Sequence, residues 1–277
     1  MLGVPRRAMR WAFFEEPHAM SVVEIVRESS VARVWLNRPE QHNALSAELA
    51  QELALAFETL GRDATVRVIV LGGRGPSFCA GADIGAMKAQ STASFEDNVA
   101  DATRLGTLFA NIAECPKPVV ARIHGGVLGG GVGLACACDI AVSADDAKFG
   151  LTEVRLGILP ALISPYVIRR LGDRHARELM LTGERFGTAD ALRVGIVHHS
   201  VPLAELDARV EERVAALLEG GPEAQRRIKE LLARWADTPW QAYRASLPQT
   251  LAEVRAGAEA RDGLASFFEK RKPAWKA

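Results

Sequence analysis

The architecture of this 277-residue chain follows from one glycine-rich segment, His124-Gly125-Gly126-Val127-Leu128-Gly129-Gly130-Gly131-Val132-Gly133. It opens an apolar run of small residues that is typical of a buried helix. A second glycine turn, Ser77-Phe78-Cys79-Ala80-Gly81-Ala82-Asp83-Ile84, precedes it along the chain. The first turn of a helix leaves N–H donors unpaired and carries the positive end of the helix dipole, so it attracts negative charge. Two such turns therefore predict a pair of backbone N–H groups aimed at one oxygen, an oxyanion hole.

Eight motifs follow one another in order along residues 36–273. They are Leu36-Asn37-Arg38-Pro39-Glu40 with Asn43-Ala44-Leu45; Phe78-Cys79-Ala80-Gly81-Ala82-Asp83-Ile84; Lys117-Pro118-Val119-Val120-Ala121 leading into Gly129-Gly130-Gly131; Ala137-Cys138-Asp139-Ile140-Ala141; Phe149-Gly150-Leu151-Thr152-Glu153-Val154-Arg155-Leu156-Gly157; Leu181-Thr182-Gly183-Glu184; Ala189-Asp190-Ala191 with Gly195-Ile196-Val197; and Phe267-Phe268-Glu269-Lys270-Arg271-Lys272-Pro273. In content and order these motifs resemble the crotonase (enoyl-CoA hydratase/isomerase) superfamily. The resemblance implies an α/β fold with a crotonase-like ββα spiral core and a C-terminal helical trimerisation region. The reaction type is less tightly implied, because this superfamily supports several chemistries on one scaffold.

The charge balance and the cysteine spacing exclude several classes of binding partner. The chain has 34 basic and 34 acidic residues, so neither nucleic acid nor a membrane surface is expected to bind it. No apolar run is long enough to span a membrane. The four cysteines lack the spacing of a zinc site or a disulfide framework, and Cys136 and Cys138 are predicted to be buried thiols. A reducing, cytoplasmic location is therefore expected, with no metal and no cofactor beyond a substrate carried as a coenzyme A thioester.

The chain divides into three predicted parts. Residues 1–20 are expected to be a disordered extension, or the product of an upstream start codon, since they contain no apolar core of a signal peptide; a transit peptide is the alternative. Residues 21–200 are predicted to form the ββα spiral that binds acyl-CoA. Residues 201–277 are predicted to be a C-terminal helical region. The resemblance implies that this region packs against neighbouring subunits in a homotrimer, or in a hexamer made of two trimers.

Hydrophobic patterns place the main elements of the core. Strands are predicted at 22–26, 31–36, 66–71, 119–123 and 140–143. Helices are predicted from a cap at Ser46 to Gly61, at 95–112 and at 132–138. Three more helices are predicted at 203–218, 222–235 and 249–268. His198 and His199 are expected in a loop, and His124 in a turn.

The resemblance assigns roles to individual residues. The oxyanion donors are the backbone N–H groups of Ala82 and Gly130, and Glu153 is the residue that transfers protons. Hydratases of the superfamily typically present a second glutamate, and here Gly133 stands at its position. The predicted contacts to coenzyme A and substrate are Ala80, Asp83, Ile84, Gly85, Lys88, Phe267 and Lys270, with Arg271 as an alternative to Lys270. Asp139 is expected to bond backbone or an arginine rather than to act as a catalytic carboxylate.

The missing glutamate leaves three functions open. Glu153 could hydrate a 2-enoyl-CoA to a 3-hydroxyacyl-CoA, alone or with another carboxylate such as Asp83 or Glu114. A single glutamate is sufficient for a 3,2-enoyl-CoA isomerase, which moves a double bond by shuttling one proton. A non-catalytic acyl-CoA binder is the third reading. These alternatives differ in whether water enters the product.

A finer resemblance concerns the acyl group. Three segments carry it: Gly130-Gly131-Val132-Gly133-Leu134, Leu151-Thr152-Glu153-Val154-Arg155-Leu156-Gly157 and Leu159-Pro160-Ala161-Leu162-Ile163-Ser164-Pro165-Tyr166. They are similar to those of a bacterial branch described as hydratases of branched, carboxylated enoyl-CoAs, such as 3-methylglutaconyl-CoA or its isohexenyl analogue. Ser164 is expected to cap a helix there, with Pro165 in its first turn. A carboxylated acyl group needs a basic partner, and Arg155 is the nearest candidate in sequence. Its alternative role is a structural ion pair.

Overall fold

A computed structural model of the protein describes residues 21–276, so the predicted extension at residues 1–20 lies outside the described residues. The strands are β1 (Val23–Glu28), β2 (Val31–Leu36), β3 (Val68–Gly73), β4 (Val119–Ile123), β5 (Gly126–Leu128), β6 (Ile140–Ala144), β7 (Lys148–Gly150), β8 (Arg185–Gly187) and β9 (His199–Val201). The α-helices are α1 (Ala47–Arg62), α2 (Ile84–Gln90), α3 (Phe95–Ala113), α4 (Gly130–Ala137), α5 (Ser164–Thr182), α6 (Thr188–Val194), α7 (Leu206–Glu219), α8 (Pro222–Asp237), α9 (Trp240–Ala256) and α10 (Ala258–Glu269). The mixture of helices with a mainly parallel sheet is the α/β crotonase-like architecture that the motifs predicted.

A six-stranded sheet forms the centre of the protein, in the order β1-β2-β3-β4-β6-β9. The β1 strand is antiparallel to β2, and every other pair in this sheet is parallel. All six residues of β3 are buried, as expected for a parallel strand that is covered on both faces. A second sheet, β5-β7-β8, has three short strands. Its first strand, β5, lies between β4 and the triplet Gly129-Gly130-Gly131, so the two sheets together determine the position of this triplet.

Helices cover both faces of the large sheet. On one face, α1, α3, α4 and α5 contribute to the main apolar core. The predicted cap of α1 is confirmed, because the Ser46 hydroxyl accepts a hydrogen bond from the Leu49 amide at 3.2 Å. On the other face, α7 packs Leu206, Val210 and Val214 against valines of the sheet. The α7 helix therefore packs directly on the core sheet, although it falls within the predicted C-terminal region.

Two element predictions are wrong. His199 is not in a loop, because it begins β9, which pairs with β6 at the edge of the large sheet. The helix predicted at 249–268 is divided between α9 and α10 at Gly257, whose extended backbone (φ −70°, ψ 155°) ends one helix and precedes the next. The break at Gly257 could not be inferred from apolar spacing, because the apolar pattern continues through this residue.

A partly buried ion pair helps to join the C-terminal helices to the core. Asp139 accepts a hydrogen bond from the Val119 amide at 2.8 Å, as its predicted backbone role requires. Its charged partner is Lys229 on α8, at 2.6 Å, rather than an arginine. Lys229 also donates to the Lys117 carbonyl at 3.1 Å, so α8 is held to the start of β4. Within residues 21–276, no helix is long and apolar enough to cross a membrane.

Candidate active site

The two glycine turns lie side by side. The Cys79 amide donates to the Gly126 carbonyl at 3.1 Å, and the Leu128 amide donates back to the Cys79 carbonyl at 3.0 Å. Gly81 has a left-handed backbone, with φ of +92°, and a Cβ at this position would lie 2.9 Å from the Leu128 carbonyl oxygen. A side chain there would separate the turns and strain the backbone. Glycine at this position therefore permits the close approach on which the site depends.

Each predicted oxyanion donor lies at the start of a helix. Gly130 is the first residue of α4, and Ala82 precedes Asp83, the residue that caps α2. Ala82 is held by its neighbours, since the Leu45 amide donates to the Gly81 carbonyl and the Asp83 amide donates to the Leu45 carbonyl. Neither the Ala82 nor the Gly130 N–H has a protein acceptor in the part of the chain that the structure describes. Both groups are therefore available to an oxygen that carries developing negative charge.

Glu153 lies next to this pair of donors. It is the first residue of a 3-10 helix, Glu153–Leu156, and a Cβ on Gly129 would be 2.9 Å from its Oε1 atom. Its Oε2 atom is buried and has no hydrogen-bond partner, and no ion pair involves this carboxylate among residues 21–276. Burial in this apolar setting raises the pKa of Glu153 above its ordinary value. A carboxyl group with a raised pKa is suited to both taking and returning a proton.

The position of the missing glutamate is filled by apolar side chains. A Cβ on Gly133 would overlap the Cγ2 methyl of Ile163, and it would lie 3.0 Å from Cε1 of Phe109. Both of these side chains are buried and line the cavity beside Glu153. A side chain at position 133 therefore has no room unless its neighbours move. The environment opposite Glu153 is hydrocarbon rather than a second carboxylate.

The suggested substitutes for that glutamate are occupied or distant. The Asp83 carboxylate accepts hydrogen bonds from the Gly85 and Ala86 amides at 2.9 and 3.2 Å, and it pairs with Arg38 at 3.0 Å. These partners lower the pKa of Asp83 against the opposing effect of burial, which is the largest single contribution. Glu114 caps the far end of α3 and does not line the cavity. Glu153 thus differs from Asp83 in having no ion-pair partner among residues 21–276.

A cavity of about 430 Å³ connects these groups. The residues along its wall come from the two glycine turns, α1, α2, α3, the Glu153 turn and the segment before α5. They are Leu45, Ser46, Ala47, Ala50, Ala80, Gly81, Ala82, Ala86, Met87, Gln90, Asn98, Asp101, Ala102, Arg104, Leu105, Phe109, Leu128, Gly129, Gly130, Thr152, Glu153, Leu156, Ile158, Leu159, Pro160, Ala161, Leu162 and Ile163. A volume of this size is typical of a small-molecule site.

The residues predicted to bind coenzyme A fall into two groups. Ala80 lines the cavity, and Asp83, Ile84 and Gly85 form the adjoining start of α2, where Ile84 is 84% exposed. Lys88 follows on the same short helix and is exposed. Their contacts with coenzyme A stay predictions.

The C-terminal candidates lie apart from that group. Phe267 is on α10 and is 78% exposed, and Lys270 ends this helix with a left-handed backbone. Neither residue lines the cavity of its own chain. Arg271 is engaged by Asp262 and Glu269 at 2.8 and 2.7 Å. Their roles in binding therefore also stay predictions.

Two predictions about the acyl pocket are wrong. Arg155 does not line the cavity, because its exposed side chain packs beside Gly183 instead. No ion pair to Arg155 occurs in the described residues either, so its structural alternative is also not observed. Ser164 does not cap α5 with its side chain, since it is the first helical residue and its hydroxyl donates to the Ala161 carbonyl at 2.8 Å. Pro165 does stand in the first turn.

Sequence reasoning missed several residues of the cavity. Phe109 and Ile163 close it beside Glu153, and the polar side chains of Gln90, Asn98, Asp101 and Arg104 also line it. The apolar pair carried no signal of its own, because each residue fits an ordinary core pattern. The polar residues of α3 did carry one, since they interrupt its apolar face near the helix start.

The fold and the site define a class of protein. It is an α/β enzyme in which Ala82, Gly130 at the start of α4 and the Glu153 carboxylate line one largely apolar cavity, an arrangement suited to stabilising an enolate. The sequence matches the Enoyl-CoA hydratase/isomerase family over residues 26–277. The chain therefore belongs to this family, the crotonase superfamily, and is an enoyl-CoA hydratase-like enzyme.

Similar proteins cover nearly the whole chain. Enoyl-CoA hydratase AKT6-1 of Alternaria alternata is 35% identical over 253 residues, which cover 90% of this chain and 82% of that protein. The crystal structure of an enoyl-CoA hydratase from Shewanella pealeana is 36% identical, with a TM-score of 0.88 over 92% of this chain and 96% of that chain. Pseudomonas aeruginosa AtuE is 38% identical, with a TM-score of 0.89 over 92% of this chain and 100% of that chain. Similarity of this extent supports the same fold throughout residues 21–276.

Proposed function

We propose that the protein hydrates a 2-enoyl-CoA thioester to a 3-hydroxyacyl-CoA with Glu153 as its single carboxylate. The observation that carries the proposal is the Glu153 carboxylate, whose Oε2 atom is buried and unpaired, beside Gly129, the residue before Gly130. A carboxylate in that position reaches the carbons next to a thioester whose oxygen is held by the two amides. Proton transfer of this kind typically contributes a factor of about 10²–10⁴ to the rate.

The proposed reaction has two steps. Glu153 takes a proton from a water molecule as the water oxygen bonds to C3, and the electrons of the double bond move onto the thioester oxygen. The amides of Ala82 and Gly130 stabilise the resulting enolate. The protonated Glu153 then returns its proton to C2, which restores the thioester and leaves Glu153 charged. Water is the only co-reactant, so the proposal requires neither a metal nor a redox cofactor.

Isomerisation of a 3-enoyl-CoA to a 2-enoyl-CoA is the second candidate. The observation that favours it is the apolar wall at Gly133, where Ile163 and Phe109 offer no polar group to hold a water molecule. In this reaction Glu153 would remove a proton from C2 and return it to C4 through the same stabilised enolate. One carboxylate is sufficient for that shuttle, because no water enters the product.

Product analysis in heavy-oxygen water separates the candidates. Purified protein would be incubated with crotonyl-CoA, 3-methylglutaconyl-CoA and a 3-enoyl-CoA, with the Glu153→Gln variant as control. Oxygen-labelled 3-hydroxyacyl-CoA that is absent with the variant would support hydration. Unlabelled 2-enoyl-CoA formed only from the 3-enoyl substrate would support isomerisation. Binding of these thioesters without any turnover would contradict both and would leave an acyl-CoA binder.

The proposal extends to the acyl group, the assembly and the compartment. A branched, carboxylated acyl group such as 3-methylglutaconyl remains the proposed substrate on the finer motif resemblance. The four cysteines are buried and free of disulfides, which supports a reducing, cytoplasmic location.

A homotrimer, or a hexamer of two trimers, is proposed for the assembly. The C-terminal helices expose large apolar side chains that a monomer would leave in water. Those exposed by more than half are Ile228, Leu232, Trp235, Trp240, Leu264, Phe267 and Phe268. Light scattering at micromolar concentration should give a mass of three or six chains, and a monomeric mass would contradict the assembly.

A further inference from the structure

The cavity changes from apolar to polar along a single helix. Going from the C-terminal half of α3 toward its start, the side chains on the cavity wall are Phe109, Leu105, Ala102, Asp101 and Asn98. They recur at the three- and four-residue spacing that puts side chains on one face of a helix. Phe109 is fully buried, whereas Asp101 is only partly buried. The part of the wall that α3 forms near the oxyanion donors is therefore hydrocarbon, and the part it forms at the distant end carries polar groups.

The distant end contains one cation with unused hydrogen-bond donors. The Asp101 carboxylate accepts a hydrogen bond from the Gln90 side chain at 2.6 Å on its Oδ2 atom. Its Oδ1 atom meets Nη2 of Arg104 at 3.4 Å, which is a long contact. That is the one partner of Arg104 among the described residues, and its side chain is 62% exposed. Most of the guanidinium N–H groups of Arg104, which lines the cavity, therefore remain available to a ligand.

Helix geometry sets the length of acyl chain that reaches Arg104. A Cβ on Gly130 would lie 3.8 Å from Cζ of Phe109, so Phe109 marks the level of the oxyanion donors. Arg104 is five residues nearer the start of α3, which corresponds to about 7.5 Å along the helix axis. An extended chain advances about 1.2 Å per bond, so about six bonds cover this span. Allowing for the reach of the arginine side chain, an acyl group of about five to seven carbons ends beside Arg104.

We propose that Arg104 is a specificity-determining residue that selects acyl groups ending in a carboxylate, with Asp101 as its resting partner. The inference rests on the proposed function, because it takes the substrate to be an acyl-CoA in this cavity. A planar guanidinium can hold a carboxylate through two parallel hydrogen bonds. When such a ligand binds, its carboxylate replaces or shares the long contact to Asp101. A methyl-ended chain of the same length gains nothing from this end of the cavity.

Binding of saturated thioesters tests the proposal without requiring turnover. Isothermal titration would compare glutaryl-CoA with pentanoyl-CoA, adipyl-CoA with hexanoyl-CoA, and pimelyl-CoA with heptanoyl-CoA. Each pair has equal chain length and differs only in its terminal group. We expect the wild type to prefer the carboxylate in at least one pair by about tenfold, the low end for a hydrogen bond between charged groups at an exposed site. The measured quantity is the ratio of affinities within a pair.

Matched variants assign that ratio to Arg104. Arg104→Gln should bring it close to one, Arg104→Lys should keep part of it, and Asp101→Asn should increase it by releasing Arg104. Arg155→Gln serves as the control, because this exposed arginine does not line the cavity and its loss should leave the ratio unchanged. If Arg104→Gln fails to fold, the lysine and Asp101→Asn variants still carry the test.

The outcomes separate this inference from the proposed function. Equal affinities within every pair in the wild type, or an unchanged ratio in Arg104→Gln, would overturn the role of Arg104. A ratio that falls in Asp101→Asn would also overturn it, since Asp101 would then be the recognising group. A carboxylate preference without turnover of any enoyl-CoA would keep the inference and reject the function. Turnover of an enoyl-CoA without a carboxylate preference would keep the proposed function and reject the role of Arg104.

Discussion

The surroundings of positions 153 and 133 differ sharply, although Glu153 and the two side chains that pack beside Gly133 line the same cavity. At position 153 a carboxylate lies beside Gly129, and its Oε2 atom is buried without a hydrogen-bond partner. At position 133 the equivalent space is filled by Ile163 and Phe109. The contrast is therefore between a carboxylate and hydrocarbon packing, because apolar side chains leave no room for a side chain at position 133. We therefore expect proton transfer in this enzyme to go through one carboxylate.

The largest effect is expected at position 153. Glu153→Gln preserves shape and removes the group that exchanges protons, so the turnover rate should fall by about 10²–10⁴. Steady-state kinetics would measure it, with acyl-CoA affinity as a check that the cavity is intact. A variant that retained most of its activity would show that another group transfers the proton. The difference between positions 153 and 133 would then not explain catalysis.

The next effect tests the amide of Gly130. Proline is tolerated in the first turn of a helix but has no N–H, so Gly130→Pro removes one oxyanion donor. Gly130→Ala is its control, because it adds a Cβ near Leu45 and keeps the donor. The loss of transition-state stabilisation should be about 2.7–4 kcal/mol for proline beyond that for alanine. Similar kcat/KM values for the two folded variants would remove Gly130 from the oxyanion hole.

Restoring a carboxylate at position 133 should fail on packing grounds. Gly133→Glu places a side chain where Ile163 already lies, and it buries a charge, so the free energy of unfolding should fall by about 3 kcal/mol. Urea denaturation would measure this change.

A double-mutant cycle sharpens that prediction. Ile163→Ala alone should cost about 2–5 kcal/mol, because it opens a cavity. Gly133→Glu combined with Ile163→Ala should be more stable than the sum of the single changes, since each relieves the other's defect. Strict additivity would mean that Ile163 does not occupy the place of the missing glutamate.

The smallest expected effect is a pH-dependent gain in the stability of the Glu153→Gln variant over the wild type. Burial raises the pKa of Glu153 above its ordinary value, so the folded protein holds this proton more tightly than the unfolded chain does. The stability that protonated Glu153 contributes to the folded wild type is fully present below the pKa of this group in the unfolded chain. It is lost as the pH rises through the pKa in the folded protein. Glu153→Gln removes the buried charge, so its Tm should exceed that of the wild type at pH 7, with little difference near pH 4. An equal difference at both values would mean that the carboxylate is not destabilised by burial.

Local patterns were sufficient for most of the fold. The Ser46 cap, the buried β3 strand and both glycine turns follow from short-range chemistry, namely a side-chain acceptor, β-branched runs and residues that tolerate a left-handed backbone. The Glu153 turn was found through its motif. His199 was missed because a three-residue strand gains its pairing from β6, which is distant in sequence.

The acyl end of the cavity could not be predicted in the same way. The contact between Ile163 and Gly133 joins α4 to the segment before α5, and neither residue signals the other. Arg155 was chosen because it is two residues from Glu153, but the turn of the 3-10 helix directs it away from the cavity. Arg104 is far from Glu153 in sequence and reaches the cavity because α3 packs across it. Proximity along the chain was a poor guide wherever separate elements meet.

The most direct test of a single-carboxylate site is the pH dependence of kcat/KM for the enoyl-CoA that the enzyme turns over fastest. One ionisable group should give an acid limb with a slope of one, and its pKa should lie above the ordinary range of a glutamate because Glu153 is buried. An acid limb with a slope of two would reveal a second essential carboxylate. That result, or a pKa in the ordinary range, would contradict the account.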